Sequence, residues 1–206
     1  ILFSNLLKKN CNIISDNQIK EFKKLKLISK NRNLNLLTIG KKNSNIEIDS
    51  LIIKNNSQQL TLKFNRKKYM VEIPLIGLFQ INNLLMAVLA AKLSGLNISK
   101  VLKNIKKING VSGRLQLIKT LSNGTKIFVD YAHTPDALES SLKALKDHYG
   151  IRPDVVFGCG GERDVKKRPM MARVCEKHAE DIYVTDDNPR NENPKLIRKM
   201  IISGFK

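Results

Sequence analysis

Two short stretches concentrate groups able to hold a small charged molecule. One is Thr-Asp-Asp-Asn-Pro-Arg at 185–190; the other is Gly-Cys-Gly-Gly-Glu-Arg-Asp at 158–164. Asp186, Asp187, Asn188 and Arg190 put two carboxylates, an amide and a guanidinium within five positions. A guanidinium grips a carboxylate in a two-pronged fork and carboxylates hold an ammonium, so this mixture suits a zwitterion. The same residues also read as a polar Asn-Pro turn leading into a helix. Gly158, Gly160 and Gly161 permit close backbone approach to a ligand, and serve a tight turn equally well. Cys159 in that loop is a candidate reactive thiol, although no nucleophile–base pair is visible beside it. A third stretch, Asp-Tyr-Ala-His-Thr-Pro at 130–135, joins a strand end to a helix N-terminus, where free amides favour an anion. Asp130 can accept from sugar hydroxyls or cap the turn, and His133 reads as a neutral structural histidine.

The elements positioning these residues are legible from apolar periodicity. Strands are expected at 126–129, 154–157 and 181–185, each followed by a helix. The first helix spans 134–149, with Thr134 as N-cap, Pro135 at the first helical position and Leu138, Leu142 and Leu145 inward. The second starts near Pro169 with Met170, Val174 and Cys175 on its apolar side. The third starts at Pro194 behind an Asn193 cap. Strand–helix alternation at this spacing gives βαβ units, a parallel sheet and an α/β fold, with ligand loops at the carboxyl ends of the strands. Upstream, a helix is expected over 16–27 and a strand over 34–39. Alternating apolar residues from Ile46 to Ile73, broken at 55–57 and 65–67, predict antiparallel strands. A helix opens at Gly77 and runs to Leu93, with Leu84, Leu85, Val88 and Leu89 buried. A shorter one follows, with Ser99 as N-cap and Val101, Leu102 and Ile105 inward. The small polar run at 109–113 marks a boundary between domains at 1–112 and 113–206.

Charge separates the two parts. Residues 1–112 carry 20 lysines and arginines against 5 acids, and residues 113–206 carry 17 against 13, within an overall +19. Such a basic half raises nucleic-acid binding as a reading. Its lysines are scattered among asparagines and isoleucines with few aromatics to stack on bases, and no recognised nucleic-acid motif accompanies them. Three cysteines without paired or metal spacing favour a reducing compartment, and Cys175 reads as core. No run reaches the length of a membrane span, and no signal-peptide pattern opens the chain.

Taken together and in order, these stretches resemble the Mur ligases of peptidoglycan synthesis. That family carries G-x-F-N-x-x-N, then G-R, then D-Y-A-H-x-P, matched here by Gly77 to Asn83, Gly113-Arg114 and Asp130 to Pro135. The glycine loop with its Val155-Val156-Phe157 approach, Lys167-Arg168-Pro169-Met170 and the 185–190 motif resemble the diaminopimelate-adding branch. The resemblance implies the end of a central ATPase domain, strands plus helices, over 1–112. A Rossmann-like C-terminal domain with a mainly parallel sheet, incomplete here, would follow over 113–206. It implies a cytoplasmic, monomeric enzyme of cell-wall synthesis using ATP and magnesium. Its substrates would be a UDP-muramoyl dipeptide and meso-diaminopimelate, joined through an acyl phosphate. By that resemblance Asn83 contacts the adenine side of ATP, Arg114 its phosphates as the catalytic cation, and Asp130 the ribose. Arg163, Asp187, Asn188, Pro189 and Arg190 hold the incoming amino acid. Arg190 matches its distal carboxylate, because a fork donor suits a carboxylate and repels a terminal ammonium.

Three departures accompany the resemblance. Gln80 stands where the family has asparagine. The phosphate-binding G-K-[ST] loop is absent, since Gly40-Lys41-Lys42 lacks the glycine frame and the hydroxyl. The family's carbamoylated magnesium-holding lysine would fall before Ile1, and its late G-x-G-H-E segment after Lys206, so none of the residues is assigned to metal. The chain is therefore expected to be a piece of the ligase, inactive by itself. Folylpolyglutamate and cyanophycin synthetases, which share the D-Y-A-H turn, and a basic nucleic-acid-binding module are the alternatives.

Overall fold

The computed structural model describes residues 7–206. The chain divides into two compact units, Ile1–Asn109 and Gly110–Lys206.

The first unit is a five-stranded sheet in the order β1-β2-β3-β4-β5, with β1 at Asn12–Asp16, β2 at Asn35–Gly40, β3 at Ile46–Ile53, β4 at Gln58–Phe64 and β5 at Lys67–Ile73. β3, β4 and β5 pair antiparallel, as their period-two pattern predicts. β1, β2 and β3 pair parallel, which the sequence did not signal: β1 is a five-residue strand that opens on Asn12 and ends before Asn17, too short for a clear alternation. Helix α1 is Phe22–Asn31, shifted toward the C-terminus from the expected 16–27. Residues 12–16 have been claimed by β1, and Asp16 turns the chain by accepting from the Gln18 N–H at 2.8 Å. Helix α2, Leu78–Leu93, packs on β1 and β2. Ile81, Leu85, Val88 and Leu89 are its buried stripe, joined in the core by Ile39, Ile46, Leu60, Leu62 and Ile73. Gly77 opens this helix at a φ of 93°, a left-handed value that favours glycine. Helix α3 is Ile98–Asn104, and its N-cap is Asn97, not Ser99: the Asn97 side chain accepts from the Lys100 N–H at 3.1 Å. Leu102 and Ile105 face inward as expected.

The second unit begins with β6 at Gln116–Thr120 and β7 at Lys126–Val129, an antiparallel pair. The sequence predicts β7 but gives it a parallel setting; the polar Leu-Ser-Asn-Gly run between them makes a hairpin turn instead. Then come α4 at Pro135–Tyr149, β8 at Val155–Phe157, α5 at Lys167–His178, β9 at Ile182–Val184 and α6 at Pro194–Ile202. β8 and β9 are parallel, in the register Val155↔Ile182, Val156↔Tyr183 and Phe157↔Val184. Thr134 caps α4 by accepting from the Ala137 N–H, Asn193 caps α6 by accepting from the Lys195 N–H, and a proline follows each cap. On α5 the inward methionine is Met171, not Met170, which is 48% exposed; the helix starts at Lys167, two residues before Pro169. Leu138, Leu142, Phe157, Met171, Cys175, Ile197 and Ile201 form the core under the two loops that leave β8 and β9. Among the described residues no helix is long and apolar enough to cross a membrane.

Candidate functional site

The loops after β8 and β9 leave adjacent parallel strands at the same end, and the backbone ties them together. Thr185 N–H donates to Phe157 O and Gly161 N–H to Asn188 O, each at 2.9 Å. Side chains complete the seam. Arg190 Nη1 donates to Gly161 O at 2.6 Å, and Asn191 Nδ2 to Glu162 Oε1 at 2.7 Å. The Glu162 N–H donates to Glu192 Oε1. The glycines serve this seam. A Cβ on Gly158 would lie 2.6 Å from Thr185 O, and one on Gly161 only 1.9 Å from Pro189 O. Neither glycine has a left-handed φ, so space rather than conformational freedom demands them. Gly161→Ala is accordingly expected to destabilise by about 1–3 kcal/mol, as overpacking of a tight contact does. A melting temperature equal to that of the parent chain would contradict the seam.

Beneath the seam lies Arg168, which is fully buried. Its Nη1 and Nη2 donate to Glu192 Oε2 and Oε1 at 2.8 and 2.9 Å, and Nη2 also reaches Gly160 O at 3.3 Å. The sequence places Arg168 within a motif without assigning it a task, and overlooks Glu192. The detectable signal was a buried-position arginine on the apolar side of a helix, which needs an acid elsewhere to be tolerated. Hydrogen bonds from Arg168 first, and from the Glu162 N–H second, hold the Glu192 carboxyl below its ordinary value of 4.5. A depressed folded pKa means that the stability this group contributes is present above 4.5 and is lost as pH falls through the lower folded value. The gap in melting temperature between the parent and Glu192→Gln should therefore narrow as pH falls below 4.5. A gap that stays constant through that range would contradict the assignment.

The remaining groups face outward. Glu162 and Arg190 both take left-handed backbones, with φ of 52° and 50°. Each such non-glycine residue costs on the order of 1–3 kcal/mol, and they cluster where function over-determines geometry. Arg190 is exposed, with one guanidinium nitrogen on the Gly161 carbonyl, and its own N–H donates to Asn188 Oδ1 at 3.2 Å. Asp187 and Arg163 are exposed and make no hydrogen bond or ion pair among the described residues. Asn188 is exposed and Pro189 half-buried. Asp186, by contrast, is committed: its carboxylate pairs with Arg198 on α6. The expected cluster of four thus resolves into Asp187, Asn188 and Arg190, with Arg163 joining from the glycine loop. Cys159 leaves the list of reactive groups. It is 3% exposed, its thiol lies 3.7 Å from Met171 Sδ, and burial pushes its pKa up. Burial likewise raises Cys175 to about 12, as befits a core thiol.

A second polar corner forms where β6 begins and β7 ends. Asp130 Oδ2 accepts from the Leu115 N–H at 2.6 Å, and the exposed Arg114 guanidinium lies over the Tyr131 ring at 4.7 Å. His133 is exposed, in edge contact with the Tyr131 ring at 5.0 Å, and its Nδ1 lies 3.1 Å from Tyr131 O. The turn carries the ring outside the core, and its contacts are with Tyr131 of the same turn. One Asp130 oxygen is spent on the backbone, so a sugar hydroxyl would meet the other. A cation and a carboxylate beside an aromatic face fit a nucleotide's phosphate and ribose. In the first unit Asn83 is exposed on α2, while neighbouring Asn82 Nδ2 donates to Asp16 Oδ2 at 2.8 Å. Among the described residues no group of three or more His, Cys, Asp or Glu gathers to hold a metal ion.

Comparison with known proteins matches both units to one family. Residues 1–91 match the Mur ligase middle domain, and residues 113–205 the glutamate ligase domain of Mur ligases. A curated relative from Rickettsia montanensis, named UDP-N-acetylmuramoyl-L-alanyl-D-glutamate--2,6-diaminopimelate ligase, is 42% identical over 99% of this chain and 42% of its own length. A solved structure with that same enzyme name is 30% identical, with a TM-score of 0.60, covering 95% of this chain and 41% of its own. Mycobacterium tuberculosis folylpolyglutamate synthase complexed with ADP shares the fold at a TM-score of 0.74 and 19% identity, covering 94% of this chain and 43% of its own. The chain therefore spans less than half the length of the relatives it matches.

Proposed function

The chain belongs to the Mur ligase family, and from that premise we propose that it forms part of an ATP-dependent amide ligase adding meso-diaminopimelate to UDP-N-acetylmuramoyl-L-alanyl-D-glutamate. The observation that carries this reading is the pair of tied loops, with Arg190 seated on the Gly161 carbonyl and Asp187 and Arg163 exposed on the two loops. A two-headed amino acid has two ammonium and two carboxylate groups. Asp187 accepts from the ammonium of the distal head, and the Arg190 fork donates to its carboxylate. Arg163 and the Asn188 amide orient the ligand, and Pro189 fixes the backbone between them. The opposite amine is left uncharged by loss of a proton and attacks the γ-carbonyl of the D-glutamyl residue. That carbonyl is activated as an acyl phosphate, whose phosphate departs as the amide bond forms. Arg114 offsets charge on the transferred phosphoryl group, Asp130 accepts from the ribose through its remaining oxygen, and Asn83 meets the adenine side. When bound, ATP supplies the phosphoryl group.

The names of the relatives and the match of the loop motif support diaminopimelate over glutamate as the added amino acid. The folylpolyglutamate synthase likeness concerns the fold. The test is a substrate panel on the complete gene product: ATP with the UDP-muramoyl dipeptide and each of meso-diaminopimelate, L-lysine and L-glutamate, and ATP with a reduced folate and L-glutamate, with ADP release and product mass as readouts. Product formed with meso-diaminopimelate alone is expected. Glutamate addition to folate, or no ADP release with any pair, would overturn the reading.

A further inference from the structure

Beneath the two loops the fully buried Arg168 pairs with Glu192, whose side chain is 31% exposed, and no part of the reaction above uses them. A pair with one member buried and the other partly exposed contributes little net stability, because desolvation of the guanidinium and solvent screening of the carboxylate offset the attraction. Here the arrangement is not optimised for stability either: Arg168 Nε is buried with no hydrogen-bond partner. What the pair does possess is reach. Arg168 sits on α5, Glu192 just before α6, and both grip the glycine loop. Arg168 does so through Gly160 O, Glu192 through the Glu162 N–H. Glu162 in turn holds Asn191 and sits at a left-handed φ, as does Arg190, whose guanidinium rests on the adjacent Gly161 carbonyl. Three consecutive glycine-loop residues, 160 to 162, are thereby fixed to residues 190 to 192 of the facing loop.

We propose that the Arg168–Glu192 pair is the positioning element of the amino-acid pocket. It fixes the separation between the glycine loop and the loop bearing Asp187 and Arg190, and through that separation it sets the length of amino acid accepted. This rests on the reading of those loops as the amino-acid site. Neither residue touches the ligand; both act through the backbone of residues 160–162. A misplacement of about 1 Å in such a support lowers productive binding by roughly 10–100-fold.

The test uses Glu192→Gln in the complete gene product. That variant keeps the size of the side chain and an acceptor for the Glu162 N–H while removing the charge. Two readouts are taken: hydrogen exchange of the peptides covering 158–164 and 185–192, and the KM values for meso-diaminopimelate and ATP. Protection of the two loop peptides is expected to fall on the order of tenfold while α4 stays unchanged. The KM for meso-diaminopimelate is expected to rise roughly 10–100-fold with that for ATP unmoved. Arg168→Lys, which retains the charge but not the fork, should move both readouts in the same direction. Looser loops with an unchanged diaminopimelate KM would overturn the proposal, as would unchanged exchange or a parallel loss in every kinetic constant. If the parent enzyme does not use meso-diaminopimelate at all, the pocket assignment fails, and the exchange readout alone decides the clamp: loosening confined to the two loops supports it, none overturns it. Should Glu192→Gln fail to fold, Arg168→Lys carries the same two readouts.

Discussion

Replacing Arg190 with alanine is expected to lower kcat/KM for meso-diaminopimelate by roughly 30- to 1,000-fold while leaving the KM for ATP within about twofold. The magnitude corresponds to about 2–4 kcal/mol, the range for losing one partner of a hydrogen-bonded charge pair. Arg190 is poised for this role by its partners. Its backbone is held left-handed, its N–H is tied to Asn188, and one guanidinium nitrogen is anchored on the Gly161 carbonyl. An anchored guanidinium loses less freedom on gripping a carboxylate than a mobile one, so more of the interaction remains as affinity. Alanine removes the fork and the anchor together. An equal loss for both substrates would mean that Arg190 only holds the loops together.

The second large effect concerns stability. Arg168→Ala is expected to cost about 3–5 kcal/mol, because deleting a fully buried side chain of this size leaves its volume unfilled and strips the Gly160 carbonyl of its donor. For a unit of this size that lowers the melting temperature by at least roughly 10 °C. The loss should fall on the second unit, where α5, α6 and both loops converge on this side chain. Calorimetry of the variant would show it, and a shift of only a degree or two would contradict the packing described.

The elements around the site were largely readable in order. Thr134-Pro135 and Asn193-Pro194 are cap-plus-proline signals whose chemistry is local, and both helices begin where those residues place them. The apolar trios that became β8 and β9 are likewise local signals. What escaped depended on partners distant in sequence. Glycine spacing at 158–161 speaks equally for a bound ligand, a tight turn or a second loop; only the 1.9 Å approach of Pro189 O to a Gly161 Cβ decides for the last. Asp186 and Asp187 are adjacent and chemically identical, yet Arg198, one turn into α6, takes the first and leaves the second exposed. Glu192 looked like an ordinary polar residue beside a helix cap, since its importance comes from Arg168, 24 positions earlier. In the first unit the parallel β1–β2 pair was hidden because Asn12 and Asp16 bound a strand too short to alternate. Ser99 lost the cap to Asn97 by two positions, a difference that only the Lys100 hydrogen bond resolves.

The central claim is that the Arg190 guanidinium exists to hold the far carboxylate of a two-headed amino acid. Its most direct measurement is the ratio of kcat/KM for meso-diaminopimelate to that for L-lysine in the complete gene product. These two differ by that one carboxylate. A ratio of at least about 100 is expected in the parent enzyme, collapsing toward unity in Arg190→Ala. A ratio near unity in the parent, or one that Arg190→Ala leaves intact, would contradict it.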